Sequence, residues 1–201
     1  MVMAQKSASV KRRAGCSRLT RCCWLLWLAL TCGPPLLLAM AHAADASLEY
    51  NVKAGYLYNF AKFVEWPDRS FATPDSPMIV GVLGGTEALP VVEQAFQGRS
   101  LNGRSFQVKA LSAGNAGRDC HIIFVTRAAQ QSPEELCAAL KGAPALLVGE
   151  SDRFAEKGGS IGFVREDERI HFKLNLEATA QAGLKVSAKL AGVARLVKTS
   201  R

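Results

Sequence analysis

The sequence is poor in the residues that most enzymes use. Of its three histidines, only His121 and His171 follow residue 43. No Gly-x-Ser-x-Gly elbow, P-loop or His-Glu-x-x-His occurs, and no nucleophile–base pair is apparent. Internal repeats and low-complexity tracts are missing too, so neither a solenoid nor a fibrous chain is indicated. Acidic residues are absent from residues 1–43, which hold Lys6, Lys11, Arg12, Arg13, Arg18 and Arg21. The net charge of +8 therefore belongs to this leader. Without its six cations, 19 basic residues face 17 acidic ones, a net of +2. A nearly neutral body has no field for holding polyanions, which excludes nucleic acid as the main partner.

The leader has the parts of a secretory signal peptide. A basic segment precedes the apolar run that starts at Trp24-Leu25-Leu26-Trp27-Leu28-Ala29-Leu30, and Ala41-His42-Ala43 supplies a small-x-small site for cleavage near Ala43/Ala44. Gly33-Pro34-Pro35 breaks the run short of the roughly 20 apolar residues a spanning helix needs. The expectation is a signal peptide over 1–43 and one domain over 44–201, localised to the periplasm; an uncleaved leader acting as a membrane anchor is the alternative. Cys16, Cys22, Cys23 and Cys32 leave with the leader. Cys120 and Cys137 remain, enough for one disulfide in an exported protein but not for a disulfide scaffold. About 158 residues can bury an ordinary core without one.

The body alternates strand-like and helix-like segments. Leu48, Val52, Leu57, Phe60 and Val64 predict an amphipathic first helix, ended by Trp66-Pro67. Met78–Leu83 reads as a buried strand, and Thr86 as the cap of a helix reaching Phe96. Further strands are expected over Phe106–Leu111, Cys120–Thr126 and Ala145–Val148. Ser132, with Pro133 and Glu135, makes a capping box for a helix stopped by Gly142. Ser160–Val164 and Arg169–Leu174 read as a hairpin around Arg165-Glu166-Asp167-Glu168. A short helix follows, starting at Asn175 or Thr179 and stopping at Gly183. A last helix from about Ser187 would carry Leu190, Val193 and Leu196. The fold class expected is a single α/β domain with a mixed sheet, parallel βα units followed by an antiparallel hairpin, and helices on both faces.

Several residues invite a chemical reading. Cys120 and His121 are adjacent, but on a strand they point to opposite faces and cannot readily share an ion, so no metal is expected and no cofactor is implied. Arg169, His171 and Lys173 share one strand face, either as solvent-side residues or as contacts for a ligand or partner. Gly81-Val82-Leu83-Gly84-Gly85 could offer amides to an anion, but it lacks the full Gly-x-Gly-x-x-Gly spacing and reads first as a tight strand-to-helix turn. Tyr56, Phe60, Phe63 and Trp66 form an aromatic helix flank that suits core packing or a docking face. These residues do not make an enzyme.

Four segments together resemble the YfiR family of exported regulators: Leu48 to Pro67 (LEYNVKAGYLYNFAKFVEWP), Cys120-His121-Ile122-Ile123-Phe124-Val125, Phe154 through Gly158-Gly159-Ser160 to Leu176, and Ala182 to Leu190. They occur in this order across residues 47–197. The resemblance implies a periplasmic protein that binds the periplasmic sensor region of an inner-membrane diguanylate cyclase and represses it, lowering cyclic-di-GMP and biofilm formation. An outer-membrane lipoprotein is a further implied partner, and a homodimer is compatible. The chain has no Gly-Gly-Asp-Glu-Phe signature, so it would control the messenger without making it.

In that family, contacts cluster on the last strand and the segment after it, here Phe172, Lys173, Thr179, Lys185 and Ser187. The family's first core strand often carries a cysteine that pairs with the one at Cys120, but here the position is Gly81. Ala155 and Gly162 stand where a second pair would fall. Cys137 could pair with Cys120 instead, since its helix packs back over its own strand. The alternative function is a periplasmic small-molecule sensor or binding protein serving a transporter or histidine kinase, with Arg169, His171, Lys173 and Lys185 favouring anionic or amino-acid ligands.

Overall fold

Alternation of buried side chains organises residues 78–197 into an eight-stranded mixed sheet with helices on both faces, the α/β architecture expected. The computed structural model describes residues 34–200 apart from 113, 116 and 168, with side chains from residue 47 onward. The chain divides into two compact units, Met1–Ala44 and Asp45–Arg201. The leader expected over 1–43, its four cysteines included, lies outside the described residues as far as residue 33. Among the described residues no helix is long and apolar enough to cross a membrane.

Helix α1 runs Pro34–Phe63. Its buried stripe is Ala54, Leu57, Phe60 and Ala61, at the three-to-four-residue spacing that keeps side chains on one face. Leu48 and Val52, expected on that face, are 65% and 44% exposed. The physical reason is angular: at about 100° per residue, nine residues from Leu48 to Leu57 bring the chain to the opposite side. Strand β1 (Val64–Glu65) follows and pairs antiparallel with β9 (Lys185–Val186).

The main sheet contains β2 (Met78–Leu83), β3 (Ser100–Leu101), β4 (Arg104–Leu111), β5 (Ile122–Val125), β6 (Leu146–Gly149), β7 (Ile161–Glu166), β8 (Arg169–Asn175) and β10 (Arg195–Val197). Its order is β10-β8-β7-β6-β5-β2-β4-β3. Strands β4, β2, β5, β6 and β7 are parallel, and β7–β8 is the antiparallel hairpin with Phe163 opposite Phe172. One face buries Val80, Val82, Phe124, Val148, Ile161 and Phe172 with α1 and with Val92 and Phe96 of α2 (Ala88–Phe96). The other buries Leu83, Ile123, Val125 and Leu147 with Leu136 of α3 (Pro133–Ala139). Successive residues alternate between the two, as a pleated strand requires.

The capping box at α3 forms as expected: Ser132 accepts from Glu135 N–H, and Glu135 reaches back to the Ser132 N–H. Asn175 caps α4 (Leu176–Gln181) through Ala178 N–H. Thr86 does not cap α2; Glu87 holds that place in helical geometry without a side-chain bond. The last helix is also shorter than its apolar spacing suggests. Helix α5 covers Ala188–Val193 only, and Leu196 lies on β10, parallel to β8 opposite Leu174. A strand partner waiting at the sheet edge overrides the weak helical periodicity there.

Candidate partner-binding site

In open α/β sheets the usual ligand place is the crevice where strand order reverses, here between β2 and β5 at their carboxyl ends. This chain fills that region with its own groups. A β-carbon on Gly84 (φ 80°) would come within 2.4 Å of Ala129 N, so the Gly84-Gly85 turn is packed against the segment after β5. Past the end of β6, Glu150 accepts from Arg127 N–H at 2.9 Å and pairs with Lys53 of α1 at 2.7 Å. Lys53 also bonds Glu49, one turn earlier. The ammonium sits 5.3 Å from the Tyr50 ring centre. Burial, and then the Glu150 charge, push the Tyr50 phenol up to about 12. Sequence reading passed over Lys53 because a lysine on a helix is normally a solvated residue.

The expected contact residues are distributed unevenly. A groove of about 560 Å³ at the outer edge of β8 is lined by His171, Phe172 and Lys173, together with Tyr56 of α1, Glu166 of β7 and Arg195 of β10, with Val193 of α5 at its end. Lys173 is tied to Glu156 at 2.7 Å. Burial alone would raise the Glu156 pKa, but the Lys173 ammonium outweighs it and holds the carboxyl below its ordinary value. Arg195 pairs with Glu166 at 2.9 Å. Arg169 and His171 are exposed on the same strand face, and among the described residues neither has an acidic partner. Lys185 is not part of this group; it lies exposed on β9 opposite Glu65. Thr179 is 1% exposed, and its hydroxyl donates to Asn175 O at 2.6 Å. Ser187 caps α5, accepting from Leu190 N–H. These last two hold the fold and have their polar groups already engaged.

The remaining candidates of the sequence are structural in place. Cys120 and His121 lie just before β5 in different surroundings, Cys120 in the core beside Leu111 and Leu136. His121 Nδ1 accepts from Ile79 N–H at 3.0 Å, its Nε2–H donates to Ser70 O at 3.1 Å, and Phe71 stacks on the ring at 4.4 Å. Phe60 is fully buried, while Tyr56, Phe63 and Trp66 pack partly buried against the core. The two cysteines are free. Cys137 Sγ–H donates to Gly158 O at 3.0 Å. Burial raises both thiol pKa values, that of Cys120 to about 11.

Residues 50–195 match the profile of the family described as YfiR/HmsC-like. The chain belongs to that family. Among solved structures, a conserved domain protein from Vibrio cholerae O1 biovar eltor str. N16961 is similar at 10% identity with a TM-score of 0.45, over 61% of this chain and 55% of that one. The chain thus spans about half the length of that relative. No curated protein matches.

The YfiR/HmsC-like assignment makes the cysteine positions informative. A β-carbon on Gly81 would stand 2.9 Å from Cys120 Sγ, and one on Gly162 would stand 3.5 Å from Ala155 Cβ. Disulfide-bonded cysteines have β-carbons about 3.5–4.5 Å apart, and each β-carbon lies close to its partner's sulfur. The fold therefore holds both pairs of positions together, although three of the four residues are not cysteine here.

Proposed function

We propose that this chain is an exported regulator that binds the periplasmic sensor region of an inner-membrane diguanylate cyclase and represses it, lowering cyclic-di-GMP and biofilm formation. The observation that carries the reading is the family match over residues 50–195. The site geometry agrees with a binding role. The crevice that would hold a substrate is filled by Gly84-Gly85, Lys53 and Glu150, and the accessible groove at β8 gathers His171, Lys173, Arg195 and apolar surface around one carboxylate, Glu166, which Arg195 engages. Such a surface can act on a cyclase only by linkage: binding one state of the sensor better than the other shifts their populations by the difference in affinity. A preference of 1.4 kcal/mol is about tenfold.

The test is deletion of the gene in a strain expressing its membrane-bound cyclases. Cyclic-di-GMP and biofilm should rise, and a copy of the gene lacking the codons for residues 1–43 should fail to restore them because its product stays in the cytosol. Unchanged cyclic-di-GMP in the deletion strain overturns the reading. Thermal-shift screening against amino acids and small anions addresses the sensor alternative, since a specific ligand raises the melting temperature with concentration.

A further inference from the structure

The groove at β8 is an open place in the sheet. Leu146 N–H bonds His121 O and Glu150 N–H bonds Val125 O, so residues 146, 148 and 150 turn their backbone groups toward β5. By alternation, 147 and 149 face β7, residues 161 and 163 face β6, and 162, 164 and 166 face β8. Their partners across the hairpin are Lys173, His171 and Arg169. The backbone groups of Ile170, Phe172 and Leu174 therefore point to the outer edge of β8. Tyr56 agrees, since its hydroxyl donates to Ile170 O at 3.2 Å from that side.

On this edge β10 covers Lys173 to Asn175 and stops. Among the described residues no strand lies against Arg169–Phe172, and the N–H groups of Ile170 and Phe172 face the groove. Its lining contains residues of both sheet faces, Tyr56 and Phe172 on one and Val164, Glu166, His171 and Lys173 on the other. A void that touches both passes around the edge, where the next strand would run, and reaches over one face as far as β7. Val193 stands at its end, 75% exposed.

We infer that an extended segment of the partner's periplasmic region adds as a short strand to the Arg169–Phe172 edge of β8, continuing the line of β10. Main-chain bonds from the N–H groups of Ile170 and Phe172 supply affinity, and alternate side chains supply specificity. One side meets Tyr56 and Val193 and so favours an apolar residue. The other meets Arg169 and His171, which make no ion pair among the described residues, beside a Glu166 already engaged by Arg195, and so favours Asp or Glu. This rests on the regulator reading and names its mode of contact.

The experiment uses the exported protein and, as probes, the purified periplasmic domains of the membrane-bound diguanylate cyclases encoded in the same genome. Binding is measured with wild type, Val193→Trp, Arg169→Glu and, as a control on another surface, Leu48→Glu. Amide exchange of Ile170 and Phe172 is followed by NMR with and without the bound domain. At least tenfold weaker binding of the first two variants, unchanged binding of the control, and slowed exchange at both amides are expected. Unchanged affinity of the Val193 and Arg169 variants, or unchanged exchange at both amides in a complex that forms, overturns strand addition and leaves the regulator reading intact. If the free protein is a dimer that Val193→Trp makes monomeric, the edge belongs to a second copy and the proposal fails. Binding of no domain overturns both readings.

Discussion

Lys53 on α1 and Glu150 past β6 meet at 2.7 Å with 3% and 2% of their side chains exposed, although 97 residues separate them. Each compensates the other's loss of water. Replacing Lys53 by Met should therefore cost about 3–5 kcal/mol, because a buried carboxylate loses its partner. The double variant Lys53→Met/Glu150→Leu should recover a large part of that loss. Urea unfolding of wild type, both single variants and the double closes the cycle. Equal losses in the Lys53 variant and the double would refute a compensated pair.

His121 makes stability depend on pH. Burial holds its pKa below the ordinary 6.5, and Nδ1 already accepts from Ile79 N–H, so a second proton has no place. The unfolded chain takes that proton near its ordinary pKa while the folded chain resists. Stability from this group is complete above that value and is lost as pH falls toward the folded pKa. The urea midpoint should drop between about pH 7.5 and pH 5.5. His121→Asn keeps an acceptor for Ile79 and cannot titrate, so its profile should be flatter over this range. Parallel profiles would assign the loss to other groups.

The positions of the missing family disulfides are testable by adding the cysteines. Gly81→Cys should bridge to Cys120 during export, with Leu111 Cδ1, now 2.5 Å from the new β-carbon, swinging aside. Ala155→Cys/Gly162→Cys should form a second bridge. Each should add about 2–4 kcal/mol under oxidising conditions. Intact mass after alkylation without reductant reads the outcome; fully alkylated cysteines would mean the backbone does not hold these positions as described.

Wild-type thiols should be slow to react, and unequally so. Cys120 is 3% exposed with its pKa raised to about 11. Cys137, also raised by burial, borders a cavity of about 340 Å³ between α3 and α4. The thiolate is the reactive form, so iodoacetamide near pH 8 should modify Cys137 first and Cys120 only on unfolding, as peptide mapping would show. Equal rates would contradict the burial of Cys120.

The sequence announced much of this fold. Strands at Met78–Leu83 and across the Arg169 hairpin, the Ser132 capping box and the Asn175 cap are local, since their residues bond within a few positions of each other. One local signal was passed over: Leu101-Asn102-Gly103-Arg104 turns β3 onto β4, with Asn102 and Gly103 at φ 51° and 81°, the conformation an Asn-Gly pair favours. For the candidate site, the face shared by Arg169, His171 and Lys173 was legible from strand parity, while the ties of Lys173 to Glu156 and Arg195 to Glu166 were not.

By itself the sequence determined the α/β class and the family, because periodicity, caps and family segments are written in residue order. Only the tertiary structure decided that Lys53 is buried, that Gly81 abuts Cys120, and that β10 covers Lys173 to Asn175 while no strand among the described residues lies against the rest of that edge. Those facts depend on which distant segments meet, and side-chain chemistry along one strand carries no record of its neighbour across space.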